Sequence, residues 1–170
     1  IVVESFRPGT MASFGLDYAT IKEIKPDMVY VSISNFGQTG PYRDFLASDI
    51  VIYGMGGEMY STGLEDREPV KLGPYVVLFQ GGAAASVATL AAVYTNLDQG
   101  LGQHVDVSLM ETQATSIDRR MATIVAYQYC GEIQGRQGLG GLGFPNGVYP
   151  CADGYFELVG GIVRWQQVQN

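Results

Sequence analysis

The sequence predicts an α/β fold built on a parallel sheet, and three observations carry this prediction. Residues 1–34 show a strand, a helix and a second strand in succession. Residues 104–109 form another strand-like run, and a long helical pattern follows it over residues 111–129. The composition is 46% hydrophobic over 170 residues, with 23 Gly, which is enough apolar material for a packed core.

The first strand–helix–strand unit is the clearest part of the pattern. Residues 1–6 read as a short buried strand, and Asp17 is a suitable N-cap for a helix that runs through Ile24 and ends at Pro26. Residues 28–34 are β-branched and nearly all apolar, as in a strand buried on both faces of a parallel sheet. We therefore expect a βαβ unit.

The middle of the chain combines a loop with two helical segments. Residues 35–44 follow the second strand and lie at its carboxyl end, where open parallel sheets bind ligands. Residues 49–60 read as a helix weakened by Gly, and residues 81–97 as a helix rich in small side chains. The Gly, Ala, Ser and Thr content of residues 76–94 favours a buried helix over a bilayer span.

The last part of the chain predicts a change of domain. A hairpin is expected with a turn at residues 152–154 and a second strand over residues 155–159. We assign residues 1–137 to a large domain, and residues 138–170 to a glycine-rich loop and the start of a small domain. Because the chain begins inside a strand, without Met, and stops within an amphipathic pattern, we expect it to be a piece of a longer protein.

Charge and cysteine content exclude several functions. The net charge is −7 without a cluster of Lys and Arg, which argues against binding to nucleic acid or to an anionic membrane. Cys130 and Cys151 have neither a CxxC partner nor a His at ligand spacing, so no metal site is predicted. We interpret both as inert buried thiols of a cytoplasmic protein.

Three features are candidates for a role in catalysis or ligand binding. Glu111 stands in a first helical turn, where a carboxylate either complements the helix dipole or attacks an acyl carbonyl as a nucleophile. Arg7 follows the first strand and either covers the sheet edge or binds a phosphate. Residues 138–143 match GxGxxG, but Pro145 follows where a helix should begin, so we interpret them as a loop that can act as a lid.

Three stretches of the chain, residues 2–44, 102–112 and 146–161, resemble the family III CoA-transferases. This CaiB/BaiF group includes formyl-CoA transferases and α-methylacyl-CoA racemases. The resemblance implies a Rossmann-like large domain, a small α+β domain and an interlocked dimer. It also implies acyl-CoA and carboxylic acids as substrates and no permanently bound cofactor.

The resemblance assigns roles to single residues. Family members transfer CoA through an aspartate that follows the strand "VDVSL", and Glu111 occupies its position here. Asp49 corresponds to a second active-site acid. The substrate and CoA contacts that the resemblance implies are Arg7, Gln38, Gly140 and Gly141.

Two alternatives remain open beside a transferase. The chain can be a non-catalytic CoA-binding subunit, because it differs from the family at three positions that members use for catalysis. These positions are Glu111, Ser48 and Leu78. It can also be a racemase or isomerase that uses other residues. Phe45-Leu46 stands where family members carry a basic residue before the acid. We expect a homodimer or a hetero-oligomer, and the sequence specifies neither the donor nor the acceptor acid.

Overall fold

A three-stranded parallel sheet forms the centre of the molecule. The computed structural model describes residues 1–115, 120–133, 135–136 and 147–158. The sheet has the order β1-β2-β3, and its strands are β1 (Val2–Glu4), β2 (Val29–Ser34) and β3 (Gln103–Ser108). Val31 of β2 lies opposite Val3 on one side and Val105 on the other. The predicted α/β fold with a parallel sheet is confirmed.

Helices connect and cover the strands. They are α1 (Thr10–Ser13), α2 (Tyr18–Ile24), α3 (Asp49–Met55), α4 (Val76–Gln99), α5 (Leu109–Ala114) and α6 (Arg120–Cys130), with a 3₁₀ turn at Glu58–Ser61. A separate antiparallel hairpin consists of β4 (Gly147–Cys151) and β5 (Gly154–Leu158).

The first βαβ unit forms as its residues predict. Val29 and Val31 of β2 are buried, as expected for a strand covered on both faces. Asp17 caps α2, because its carboxylate accepts hydrogen bonds from the backbone N–H of Thr20 at 3.1 Å and from its hydroxyl at 3.0 Å. The N–H bond stabilises the ionised carboxylate and lowers the pKa of Asp17.

The amino end of the sheet is closed by tight backbone contacts. Gly102 precedes β3, and a Cβ there would collide with the carbonyl oxygen of Pro26 and lie 2.7 Å from the backbone nitrogen of Met28. Asn96 of α4 donates a 2.7 Å hydrogen bond to the carbonyl of Asp27. Glycine at position 102 therefore lets the start of β3 reach the start of β2.

Helix α4 differs from its prediction in length and in burial. It begins at Val76. Ala92 packs with Val31 of β2, whereas Gly81 faces Leu109 of α5. The buried residues of α4 are Val77, Gly81, Ala85 and Ala92. The prediction of a buried helix is wrong for the outer face, because burial depends on neighbours that the sequence pattern does not reveal. The exposed apolar side chains of that face are Leu78, Phe79, Val87, Leu90, Tyr94 and Leu97.

The length and composition of α4 would also suit a membrane span. Among the helices that the structure describes, it alone meets both requirements. That is a weak indication, because core helices of soluble proteins meet the same requirements.

Two further predictions need correction. The helix expected over residues 111–129 begins at Leu109, and its first part, α5, ends at Ala114. The hydroxyl of Thr115 bonds back to the carbonyl of Glu111 at 3.2 Å, a local bond that competes with helix continuation. Cys130 and Cys151 are exposed, so the prediction of buried thiols is wrong.

Candidate active site

Three predicted site residues follow the carboxyl ends of the three parallel strands. Carboxyl ends of parallel strands share an edge, and ligands of open α/β sheets bind there. Beyond β1 comes Arg7, beyond β2 comes Gln38, and beyond β3 comes Glu111. We call this edge the strand-end site.

Glu111 lies in the first turn of α5. Ser108 is the N-cap, and its hydroxyl oxygen accepts the N–H of Glu111 at 3.3 Å. Leu109 points into the core, whereas Glu111 is exposed. The Ser-x-x-Glu spacing is that of a capping box, which fixes the start of a helix. The carboxylate is thus held at the positive end of the helix and faces outward.

Asn35, which the sequence pattern did not single out, connects the segments that precede the two predicted acids. Its carbonyl oxygen accepts the N–H of Met110 at 3.0 Å. Its side-chain amide donates to the carbonyl of Ala47 at 3.3 Å. One residue at the end of β2 therefore fixes the approach to both Glu111 and Asp49. A polar residue directly after a buried strand is the signal that could have found it.

A second close contact joins α3 to α5. A Cβ on Gly56, at the end of α3, would collide with Cβ of Gln113 and lie 3.0 Å from the carbonyl oxygen of Met110. This close approach requires glycine. It keeps the helix that begins with Asp49 packed against the helix that carries Glu111.

Asp49 begins α3 and forms an ion pair with Lys71. Oδ2 of Asp49 lies 2.5 Å from Nζ of Lys71. Oδ1 is buried and has no hydrogen-bond partner among the described residues. Lys71 was not predicted, because it follows a charged turn that the sequence gives no reason to bring to α3.

Gln38 is fixed by its backbone. Its N–H donates to Oδ2 of Asp106 at 2.8 Å, and its side-chain nitrogen Nε2 is buried without a partner among the described residues. Asp106 lies on β3, and the sequence pattern predicted only a strand at this position. The structure gives it a second role, which is to hold the loop after β2.

A second cation, Arg43, comes close to the turn that carries Arg7. A Cβ on Gly9 would lie 3.5 Å from Nη2 of Arg43, whose Nη1 pairs with Asp44 at 2.9 Å. Arg7 itself is exposed. Two guanidinium groups therefore belong to neighbouring strand-end loops.

The remaining predictions concern the lid at Gly140 and Gly141 and the expected absence of a metal site. Gly140 and Gly141 lie outside the described residues, so the lid stays a prediction. Within the described ranges, no three His, Cys, Asp or Glu side chains are grouped so that they could hold a metal ion.

Several buried polar side-chain atoms of the described residues have no hydrogen-bond partner. Such atoms are uncommon in folded proteins because burying one without a hydrogen bond costs free energy. Among the described residues they are Ser34 Oγ, Gln38 Nε2, Asp49 Oδ1, Gln80 Oε1 and Gln113 Oε1. Ser34 ends β2, Gln113 lies on α5 and Gln80 lies near the start of α4.

Together these features define a parallel α/β protein with a carboxylate-bearing site at its strand ends. The sequence profile described as CoA-transferase family III matches residues 1–168. The chain therefore belongs to CoA-transferase family III, and the resemblance noted from the motifs is confirmed.

Individual relatives agree with this assignment. The succinate–glutarate CoA-transferase of Agrobacterium fabrum is 34% identical over 166 residues, which cover 95% of this chain and 40% of the relative. The succinyl-CoA–D-citramalate CoA-transferase of Chloroflexus aurantiacus is 33% identical over 162 residues, which cover 94% and 39%. The chain thus spans about 40% of the length of these curated relatives.

A solved structure agrees as well. The crystal structure of a CaiB/BaiF family protein from Brucella suis matches with a TM-score of 0.83 and 34% identity. The match covers 94% of this chain and 42% of that one.

Proposed function

We propose that the protein containing this chain transfers CoA from an acyl-CoA thioester to a free carboxylic acid, with Glu111 as the nucleophile. The observation that carries the proposal is the position of Glu111. Its carboxylate is exposed in the first turn of α5, at the edge of the sheet where ligands bind. Membership of CoA-transferase family III supports the reaction class.

The reaction balances without an oxidant or a net proton. A carboxylate oxygen of Glu111 attacks the thioester carbonyl carbon, and the C–S bond breaks. CoA leaves as a thiolate, and the acyl group stays on Glu111 as a mixed anhydride. The thiolate attacks the Glu111 carbonyl carbon, which releases the donor acid as a carboxylate and forms a Glu111 thioester. The acceptor carboxylate then attacks this thioester, and the released thiolate attacks the acceptor's acyl carbon to regenerate Glu111.

The surrounding residues supply the binding groups of the proposed site. The buried Oδ1 of Asp49 is an acceptor, and the buried Nε2 of Gln38 is a donor. We infer that both line the acyl pocket. Arg7 is the proposed ligand for a CoA phosphate, because its exposed guanidinium can bind phosphate with two hydrogen bonds. Gly140 and Gly141 are the proposed lid.

The proposed substrates are short dicarboxylic acids. The relatives named above act, by their names, on succinate and glutarate or on succinyl-CoA and citramalate. A succinyl-CoA:mesaconate CoA-transferase of Haloarcula hispanica is 36% identical over 163 residues. Succinyl-CoA as donor and glutarate as acceptor are therefore the first pair to test.

Covalent trapping tests the proposal directly. The full-length protein is incubated with succinyl-CoA, treated with hydroxylamine or borohydride, and measured by intact mass spectrometry and peptide mapping. We expect an adduct on Glu111 that is absent in Glu111→Gln and present in Glu111→Asp. Glu65→Gln, at an exposed position outside the site, is the matched control and should retain the adduct.

A non-catalytic CoA-binding subunit is the second candidate. It is favoured by the Ser108-x-x-Glu111 spacing, because a capping box gives Glu111 a purely structural reason to be present. Binding of CoA without any adduct on Glu111, from any tested donor, would select this candidate over the transferase.

We also propose that the protein is a cytoplasmic dimer that binds neither nucleic acid nor membranes. The net charge of −7 supports the absence of polyanion binding, and the exposed apolar face of α4 supports association with further protein. Light scattering on the full-length protein measures the molar mass, and a monomer would contradict the dimer.

A further inference from the structure

Lys71 lies between the 3₁₀ turn and α4, and its ammonium group reaches the first residue of α3. Its Nζ is 2.5 Å from Oδ2 of Asp49, and the two side chains are 16% and 28% exposed. The same Nζ lies 5.9 Å from the centroid of the buried Tyr53 ring. A pair this sheltered is screened less by salt than a pair at the open surface.

The hydrogen bonds of Lys71 decide how its charge is used. An ammonium group has three N–H donors. Here they face Oδ2 of Asp49, the carbonyl of Leu72 at 3.1 Å and the carbonyl of Gly73 at 2.8 Å. All three donors are therefore engaged within the protein. With its donors engaged in this way, Lys71 can affect a bound anion through Asp49.

Charge balance gives this ion pair a function in the proposed reaction. Glu111 and Asp49 are both carboxylates of the proposed site, and the proposed reaction brings in a substrate carboxylate and a thiolate. Like charges at short range oppose binding. At Phe45-Leu46, just before Asp49 in the sequence, there is no basic side chain. Lys71 delivers a cation to Asp49 from a different part of the chain.

We propose that Lys71 is a positioning residue that neutralises Asp49 through Oδ2 and leaves Oδ1 as the acceptor of the site. The inference rests on the proposed CoA transfer, because the acceptor acid is the anion that benefits from this neutralisation. Its specific consequence is that the charge of Lys71 matters only while Asp49 is charged.

A set of charge variants tests this dependence in the full-length protein. KM and kcat for glutarate, with succinyl-CoA as donor, are measured for Lys71→Met, Lys71→Arg, Asp49→Asn and the double variant Lys71→Met/Asp49→Asn. Glutarate binding is measured in parallel by calorimetry. Lys71→Met should raise KM and Kd for glutarate about tenfold, the scale of one uncompensated charge at intermediate dielectric constant. Lys71→Arg should restore most of the affinity.

The double variant separates the proposal from a structural role. With both charges removed, KM and Kd for glutarate should return towards wild type, while kcat stays low because Asp49 is lost. Lys25 forms an exposed pair with Asp27, so Lys25→Met is the matched control and should change neither constant.

Two results would overturn the inference. Unchanged glutarate affinity in Lys71→Met, with only a lower melting temperature, would make Lys71 purely structural. Weak glutarate binding that persists in the double variant would mean that Lys71 acts on the ligand itself. If the proposed CoA transfer itself is wrong, the wild-type protein will form no Glu111 adduct, which distinguishes the two failures.

Discussion

The two ends of the parallel sheet satisfy their polar groups differently. At the amino end, Asn96 is bonded to the Asp27 carbonyl, and the hydroxyl of Tyr30 donates to the Leu16 carbonyl at 2.9 Å. At the carboxyl end, buried polar atoms of Gln38 and Asp49 lack partners among the described residues. Because pairing lowers the cost of burial, the contacts at the amino end favour stability, whereas the carboxyl end keeps unpaired groups that the proposed ligand would engage.

Substitution of Glu111 should have the largest effect and should act on activity alone. Glu111→Gln should lower CoA transfer by about 10³-fold or more, since it removes the nucleophile. The free energy of unfolding should stay within about 0.5 kcal/mol of wild type, because the side chain is exposed. Steady-state kinetics and urea unfolding measure the two quantities. A large loss of stability would place Glu111 in the structural part of the molecule.

Substitution of Gly102 should have the opposite profile. Gly102→Ala should lower the free energy of unfolding by about 1–3 kcal/mol, because the added Cβ meets backbone atoms of Pro26 and Met28. Activity per folded molecule should be retained, since position 102 lies at the far end of β3 from the strand-end site.

Gly82→Ala is the matched control for that change. A Cβ on Gly82, in α4, meets nothing within 4 Å, so the variant should be unchanged or up to about 1 kcal/mol more stable. Equal destabilisation of both variants would contradict the tight closure of the amino end.

Asn96→Ala should have an intermediate effect on stability. It removes the 2.7 Å bond to the Asp27 carbonyl, so the free energy of unfolding should fall by about 1 kcal/mol. The KM for the acceptor acid should not change. A raised KM would show that the two ends of the sheet are coupled.

Asp17 should give the smallest effect, visible as a pH dependence. Its pKa is lowered in the folded state because the carboxylate accepts the Thr20 N–H, so its contribution is present above its ordinary value of 3.8. As pH falls through the lower folded pKa, the contribution is lost. Asp17→Ala should therefore melt below wild type at neutral pH and approach it in acid.

Asp17→Asn is the control for the Asp17 prediction. Asn is also a good N-cap, so this variant should melt close to wild type at neutral pH. A constant gap between wild type and Asp17→Ala at all pH values would contradict the role of the charge.

Sequence patterns predicted the elements whose structure depends mainly on neighbouring residues in the chain. The buried strand β2 and the Asp17 cap could be predicted, because their signals lie within a few neighbouring residues. The outer face of α4 was wrongly expected to be buried, since an apolar composition does not reveal what covers it.

The candidate site shows the same limit. The place of Glu111 in a first helical turn could be predicted, because a strand runs directly into its helix. Lys71 could not be located, since it lies in the irregular segment of residues 62–75 and contacts Asp49, which is 22 positions earlier in the chain. Asn35 and Asp106 were missed because their bonds also cross between strands and loops distant in the sequence.

The hydrogen bond from Asn35 to Ala47 has a consequence for how substrate range can diverge. It closes the segment of residues 36–46 at its base, and Asn35 also bonds to Met110 beside Glu111. The outer part of this segment, residues 39–46, is mostly exposed and can vary, while the buried Phe36 and the bond of Gln38 to Asp106 keep the base of the loop in place. For the proposed CoA transfer, grafting residues 39–46 from a relative should therefore change the choice of acid while Asn35 keeps its bonds to Ala47 and Met110. This outer part of the loop would then be a modular unit for evolution and for engineering.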